Sequence, residues 1–152
     1  MTCIPDRATS LLAEAKASME NWGAFIESAS SAIERDLNDE TKAYKLRLAY
    51  EELISNIIKA SAENKDNRVI ILRVYSGTSY SGKKKLFTLQ TEDNGIPFDP
   101  EFSKKIDIGV NQEINERKIG GLGIFLIKQS VDIALYEWTD GLNKNQLSMI
   151  IR

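Results

Sequence analysis

The sequence predicts an α+β fold: a two-layer sandwich in which helices pack on one face of a mixed, mainly antiparallel sheet. Three observations support this. The first 60 or so residues carry helical periodicity, two strand-like segments then follow one another directly, and a short helix precedes a closing hairpin. Helices and neighbouring strands grouped in this way are typical of one sheet covered by one helical layer. At 152 residues, the chain is expected to form a single domain over 1–152 with its own core.

The first segment, about Ala8 to Glu27, is predicted to be an amphipathic helix, because its apolar residues recur at intervals of three and four. These residues are Leu11, Leu12, Ala15, Met19, Trp22 and Ile26. Gly23 weakens the pattern, which resumes as far as Arg35, so two helices and one kinked helix remain alternatives. Residues 1–37 are therefore expected to be a helical N-terminal part.

The next helix is the most strongly patterned one. Asn38 or Asp39 can cap its start, and the polar residues from Ala62 onwards end it. Its apolar positions keep a helical period throughout, and they are Tyr44, Leu46, Ala49, Leu53, Ile57 and Ala60.

Two strands are predicted next, because β-branched and aromatic residues become frequent. They span Arg68–Tyr75 and Lys85–Glu92, with a loop over Ser76–Gly82 between them. The second strand leads directly into Asp93, which therefore lies at a strand end. The polar segment 100–119 is long for an irregular connection in a compact domain, which favours a lid over a site.

The C-terminal part is predicted to contain one helix and one hairpin. The helix covers Ile124–Val131, and the hairpin strands cover Ile133–Thr139 and Gln146–Ile151 around the turn residues Asp140-Gly141. This hairpin completes the sheet.

Composition excludes several classes of function. With 20 basic and 22 acidic residues, the formal net charge is −2, which offers no sequence-wide attraction for nucleic acid or an anionic membrane. Cys3 is the single cysteine and there is no histidine, so an intrachain disulfide, the usual zinc sites and a Ser-His-Asp triad are excluded. No apolar run is long enough to span a bilayer. A cytoplasmic protein is expected.

Glu52 and Asn56 are a first candidate pair for chemistry. They lie four residues apart on the strongly patterned helix, so they share one face at the edge of its apolar row. An amide oxygen suits a Mg²⁺ ion that keeps waters and nucleotide phosphates, and a neighbouring carboxylate can orient or deprotonate a nucleophile. The alternative for this pair alone is an ordinary solvated helix face.

The segment Asp93-Asn94-Gly95-Ile96-Pro97-Phe98-Asp99 is a second candidate. It can be simple turn chemistry, with Asp, Asn and Gly supporting a tight bend. Alternatively, an ionised Asp93 accepts a hydrogen bond from the exocyclic amine of adenine, where guanine would present an acceptor oxygen. Gly95 would then allow a close approach to the base, and Ile96, Pro97 and Phe98 would line an apolar wall.

The third candidate is the glycine cluster Gly120, Gly121 and Gly123, which directly precedes an apolar helical run. Free backbone amides and a helix N-terminus favour an anion there, although the glycines can equally be the hinge of a lid. The pattern matches neither a Walker loop nor a dinucleotide fingerprint. Arg117 would clamp a terminal phosphate or remain a solvated lid charge.

Together these motifs resemble bacterial anti-sigma regulatory factors that are serine/threonine protein kinases. Asp93 to Pro100 and Gly120 to Ile127 resemble the two glycine boxes of that family, and Glu52 and Asn56 match its N box. The resemblance covers about Leu46 to the C-terminus, in the order and at the separations of the family. That family belongs to the GHKL ATPase superfamily, which includes gyrase and the histidine kinases.

The resemblance implies a Bergerat-type sandwich that binds Mg-ATP. It assigns Asn56 to Mg²⁺, Asp93 to adenine with Gly95, Pro97 and Phe98 around it, and Glu52 to catalysis. It assigns Arg117 and the box Gly120, Gly121, Leu122, Gly123 and Ile124 to the nucleotide. It also implies phosphorylation of an anti-anti-sigma protein, sequestration of a sigma factor in a partner switch, and a homodimer.

Two departures from the family pattern stand out. Ala60 occupies a position where the family often has histidine, and the N-terminus shows helical periodicity where the family begins with a clear strand. One alternative function is an ATP-gated protein-binding module without phosphotransfer. A histidine-kinase fragment is disfavoured because the chain has no histidine and no separate dimerisation region.

Overall fold

The computed structural model describes residues 4–64, 66, 68–102 and 119–151, with only the backbone described for 119–122. The elements in chain order are β1 (Ser10–Lys16), a 3-10 turn (Met19–Asn21), α1 (Trp22–Asp36), α2 (Glu40–Ala62), β2 (Ile71–Ser81), β3 (Lys84–Asp93), α3 (Ile119–Ser130), β4 (Ile133–Thr139) and β5 (Leu142–Ile150). No helix within these described ranges has the length and apolar character needed to cross a membrane.

The five strands form one sheet in the order β1-β2-β3-β5-β4. All four of the described pairings are antiparallel, so the predicted α+β fold with a mainly antiparallel sheet is confirmed. The last strand of the chain, β5, lies between β3 and β4 and therefore occupies an interior position.

The core lies between the helices and one face of the sheet. Leu72 and Val74 of β2, Leu89 of β3 and Leu147 of β5 alternate with polar neighbours and belong to one apolar cluster with residues of all three helices. Because strand side chains alternate between faces, these residues define the inner face. Tyr50 anchors the helical layer, since its buried hydroxyl donates to the Phe25 carbonyl oxygen at 2.8 Å.

The N-terminal helix prediction was wrong over its first half. Residues Ser10–Lys16 form strand β1, which pairs antiparallel with β2 through a bulge between Leu11 and Ala13. Several of these residues favour helices, but the free edge of β2 supplies backbone partners, and tertiary context overrides such weak propensities. Arg73 and Glu14 add an exposed ion pair across the two strands at 2.7 Å. The first described element is therefore a strand, so the departure from the family's strand-first pattern that the sequence predicted is not observed.

Residues Ile4–Ala8 cross the outer face of the sheet before β1 begins. The buried Gln146 side chain donates from Nε2 to the Pro5 carbonyl oxygen at 2.6 Å and to Gln90 Oε1 at 2.7 Å. At Gly77 the crossing is so close that an added Cβ would overlap the Arg7 carbonyl oxygen. This segment therefore covers part of the sheet face opposite the helices.

Some of the other element boundaries agree with those predicted from the sequence, and some differ. Asp39 caps α2, where its side chain accepts from the Lys42 amide at 3.1 Å, and the helix ends at Ala62 as predicted. The turn at Asp140-Gly141 is confirmed, with positive φ at both residues. The predicted loop 76–82 was mostly wrong, because β2 continues to Ser81 and a short turn at Gly82 leads into β3.

Candidate functional site

A pocket lies between α2, the start of the loop after β3, α3 and the inner face of β5. The space among its lining residues, including the part that is open to solvent, is about 570 Å³. Its lining residues are Leu53, Asn56, Ile57, Ala60, Ser61, Asn64, Ile70, Asp93, Gly95, Ile96, Phe98, Pro100, Ile127, Asn143 and Asn145. The walls are mainly apolar, and a few polar side chains converge inside.

Asp93 is the acidic group of this pocket and is 5% exposed at the end of β3. Its Oδ1 accepts from the Gly95 amide and from Asn143 Nδ2, both at 3.0 Å. Burial raises the pKa of the Asp93 carboxyl, while these two hydrogen bonds act in the opposite direction. No described residue donates to Oδ2, so this oxygen is available to a ligand.

Asn143, on β5, holds Asp93 and the following loop together. Its Nδ2 donates to Asp93 Oδ1 and to the Ile96 carbonyl oxygen, at 3.0 and 2.9 Å. Its Oδ1 accepts from the Phe98 amide at 2.9 Å and from the Tyr136 hydroxyl at 2.6 Å. One amide thus fixes both the acidic group and the loop that forms the pocket wall.

The loop after β3 approaches the pocket as the sequence predicts for Gly95 and Phe98, which both line it. A Cβ on Gly95 would lie only 2.9 Å from Asp93 Oδ1, so a side chain here would disturb the carboxylate. Phe98 is half exposed at the mouth. Pro97 is exposed and does not line the pocket.

The structure brings the first and third motifs together. Asn56 lines the pocket from α2, and Glu52 lies one turn earlier on the same helix. The buried Gly123 of α3 faces both: an added Cβ would be 2.8 Å from Glu52 Oε2 and 3.7 Å from Asn56 Nδ2. A side chain at position 123 would therefore displace the Glu52 carboxylate from its present position.

The glycine box begins a helix rather than preceding one. Since α3 starts at Ile119, Gly120 and Gly121 lie in its first turn, which differs from the expected loop before a helix at Ile124. Ile124 packs against the core and does not line the pocket. The described residues do not include Arg117, the side chain of Leu122 or most of the predicted lid 100–119. Pro100, at the start of that segment, lines the pocket.

Four polar pocket residues were missed by sequence reasoning: Ser61 and Asn64 around the end of α2, and Asn143 and Asn145 on β5. The strand was predicted to start at Gln146, whereas β5 starts at Leu142. The signal was present, because Asn143, Asn145 and Leu147 alternate with other residues in the period of one strand face. Asparagines at inward positions next to an acidic strand end indicate a polar site.

The donor set fits a nucleotide with its metal ion. The free Asp93 Oδ2 suits an amine, the apolar walls suit a base, and Asn56 offers a hard amide oxygen beside the start of α3. In the described part of the chain, no cluster of three or more Cys, Asp or Glu side chains could itself hold a metal. Asn56 would therefore act together with phosphate oxygens and water.

Comparison with known proteins agrees with this architecture. The chain is 29% identical over 101 residues to proteins named serine-protein kinase RsbW from three strains of Listeria monocytogenes: HCC23 of serotype 4a, and CLIP80459 and F2365 of serotype 4b. Each alignment covers 64% of this chain and 60% of the relative. The family model of the histidine kinase-like ATPase domain matches residues 15–151. The chain therefore belongs to the histidine kinase-like ATPase family.

Proposed function

We propose that this chain is an Mg-ATP-dependent serine/threonine protein kinase of the anti-sigma type. It phosphorylates an anti-anti-sigma protein and sequesters a sigma factor, switching between these two partners in the cytoplasm, and it acts as a homodimer. The support is its membership of the ATPase family, its similarity to proteins named serine-protein kinase, and the motifs that resemble the anti-sigma factors.

The observation that carries the proposal is the convergence of three distant segments. Asp93 and Asn56 both line the pocket, and Gly123 of α3 lies close to the side chains of Glu52 and Asn56. A solvated helix face or a simple turn would explain each motif alone, but would not require this convergence. One ligand with a base, phosphates and a metal ion accounts for all three.

Each residue then has a separate role. Asp93 accepts the exocyclic amine of adenine through Oδ2, with Gly95 and Phe98 beside the base. Asn56 holds Mg²⁺, and the amides of Gly120, Gly121, Leu122 and Gly123 at the start of α3 favour phosphate. Arg117 clamps a terminal phosphate in this proposal, whereas Pro97 and Ile124, which do not line the pocket, support the loop and the helix that hold the nucleotide.

Glu52 would act on the protein substrate. Bound Mg-ATP supplies the phosphoryl group and a metal ion that neutralises charge on the phosphates. Glu52 would orient the substrate serine hydroxyl and accept its proton as the serine oxygen bonds to the γ-phosphorus and the bond between that phosphorus and the leaving ADP breaks. Because Glu52 lies beside Asn56 and does not line the main pocket, it is placed for the phosphate end rather than the base.

The test measures binding and transfer separately. Calorimetry should detect binding of ATP that depends on Mg²⁺, and radiolabelled ATP should label a serine of the cognate antagonist. Glu52→Gln should retain ATP binding and lose transfer by about a hundredfold or more, whereas Asp93→Asn should lose binding. Absence of Mg²⁺-dependent ATP binding in the folded wild type would refute the proposal.

A binding module without phosphotransfer would give a different result. It would bind ATP and exchange partners, yet label no serine in a single-turnover reaction. Affinity capture with and without ATP should recover a sigma factor and a small antagonist in different proportions, and sedimentation should show a dimer. Labelling together with partner exchange distinguishes the kinase from the module.

A further inference from the structure

The described sheet has one protected edge, β1, and one open edge, β4. Strand β1 carries the charged residues Glu14 and Lys16 and a bulge after Leu11, and natural proteins use such features to prevent edge-to-edge pairing. Strand β4, Ile133–Thr139, pairs with β5 over all seven of its residues without a bulge, and Glu137 is its single charge. No described strand pairs with the other side of β4. This side is therefore free to accept a further strand.

Apolar side chains accompany the open edge on both sides of the sheet. Ala134 lies opposite Leu147 of β5, so Ala134, Tyr136 and Trp138 point to the inner side. Trp138 is 41% exposed, and the outward Leu135 is only half-buried. Exposed large apolar residues grouped beside an unpaired strand are typical of a surface that contacts another protein.

The sequence of β4 is complementary to itself. In an antiparallel pair of two β4 strands centred on Tyr136, each of the seven residues has a partner. Trp138 then lies opposite Ala134 of the partner subunit, so a large side chain meets a small one, and the two Tyr136 side chains meet at the centre. Glu137 lies opposite Leu135 of the partner subunit. A centre at Glu137 would instead place two carboxylates opposite each other, which is unfavourable.

We propose that β4 is a dimer interface, at which it pairs antiparallel with β4 of a second copy of this chain. The contact is isologous, with a two-fold axis perpendicular to the sheet at Tyr136. The two sheets become one continuous sheet, and both inner faces, with their pockets, lie on the same side of it. This interface is that of the homodimer in the proposed function, on which the inference rests.

The test changes the sign of one charge at the interface. Leu135→Glu places a carboxylate opposite Glu137 of the partner subunit, and symmetry makes this unfavourable pair occur twice. Sedimentation equilibrium without nucleotide, at low ionic strength, should show a dimer Kd at least about tenfold above that of the wild type. Leu135→Lys loses the same leucine but places an ammonium group opposite that carboxylate, so its dimer Kd should stay within about threefold of the wild type. Added salt should reduce the difference between the two variants.

Two further variants complete the test. Leu11→Glu makes the same change at an exposed position of the protected edge strand β1, and it should leave the dimer Kd unchanged. Trp138→Ala alters an exposed side chain, so it should fold even where a Leu135 variant does not, and it should raise the dimer Kd by about tenfold or more.

The possible outcomes separate this interface from the rest of the proposed function. A wild-type dimer that is unaffected by Leu135→Glu or by a folded Trp138→Ala, or is weakened equally by both Leu135 variants, would overturn the β4 interface and leave the homodimer intact. A monomeric wild type would refute the homodimer and the β4 interface together. Calorimetry with Mg-ATP on the same samples tests the nucleotide site independently, since loss of ATP binding by a wild type that still dimerises through β4 would refute only the kinase proposal.

Discussion

Replacing Gly123 by alanine should slightly stabilise the fold and slow phosphotransfer. Gly123 is the fifth residue of α3, and glycine inside a helix is less favourable than alanine by about 0.8–1 kcal/mol. Opposing this gain, the new Cβ would lie 2.8 Å from Glu52 Oε2, so that oxygen must move to an ordinary contact of 3.4 Å or more. The oxygen is at the far end of a flexible, half-buried side chain, which makes the movement inexpensive.

The two effects leave a net stabilisation of about 0.5 kcal/mol, or about 1–2 °C in Tm for a chain of this size. The displaced carboxylate, however, is the proposed catalytic group. A shift of this order in a reacting group lowers the transfer rate by about tenfold to a hundredfold. We expect ATP affinity to change little, because Glu52 does not line the main pocket.

The assays are thermal unfolding, calorimetry with Mg-ATP and single-turnover phosphotransfer. Gly23→Ala is the matched control: it is also near the start of a helix, but an added Cβ meets nothing within 4 Å, so it should stabilise α1 and leave transfer unchanged. A clear fall in the Tm of Gly123→Ala would show that Glu52 cannot yield. Unchanged transfer would show that the position of Glu52 does not govern the reaction.

Four further predictions concern Asp93, Asn143 and Tyr50. Burial raises the pKa of the Asp93 carboxyl, so the protonated form favours the folded state and this contribution to stability is lost as pH rises through the raised pKa. Unfolding measured across pH should show this loss in the wild type but not in Asp93→Asn. At neutral pH, Asp93→Asn should be the more stable protein and should bind adenosine poorly in calorimetry. Adenosine binding by wild type should weaken on acidification, starting above the ordinary value of 3.8, and a flat profile would contradict this reasoning. Asn143→Ala removes four hydrogen bonds and should lower the free energy of unfolding in urea by about 3 kcal/mol, with a large loss of ATP affinity. A decrease under about 1 kcal/mol would show that these hydrogen bonds contribute little to stability. Tyr50→Phe removes the buried hydrogen bond to the Phe25 carbonyl and should cost about 1–2 kcal/mol without changing ATP affinity, whereas a neutral effect would mean that water replaces the hydroxyl.

Sequence periodicity predicted the parts of the fold in which local and tertiary preferences agree. Helix α2 has a capping Asp39 and a long apolar stripe, and the β4–β5 hairpin has a turn that tolerates positive φ. The helix prediction for residues 10–16 was wrong because their apolar spacing also suits a helix, and only pairing with β2 makes this segment a strand. Such pairing joins residues about 60 positions apart and leaves no local signal.

The site, like the fold, was predicted only where neighbouring residues in the sequence determine the structure. Asp93 was placed correctly at a strand end because its strand and turn are adjacent in sequence. The contact of Gly123 with Glu52 and the role of Asn143 depend on how α2, α3 and β5 pack, which no short motif encodes. Motifs therefore predicted candidate ligand-binding residues, while the side chains that support them became visible only in three dimensions.

The interior position of β5 has a consequence for the order of events during synthesis. This strand carries Asn143 and Asn145, it is made after every other described element, and among the described strands it alone joins β4 to the rest of the sheet. Until β5 pairs, β3 presents an unpaired edge and Asp93 lacks its amide partner. In the proposed function, the nucleotide site is therefore completed only when β5 pairs with β3, and until then the open edge of β3 favours association with other strands.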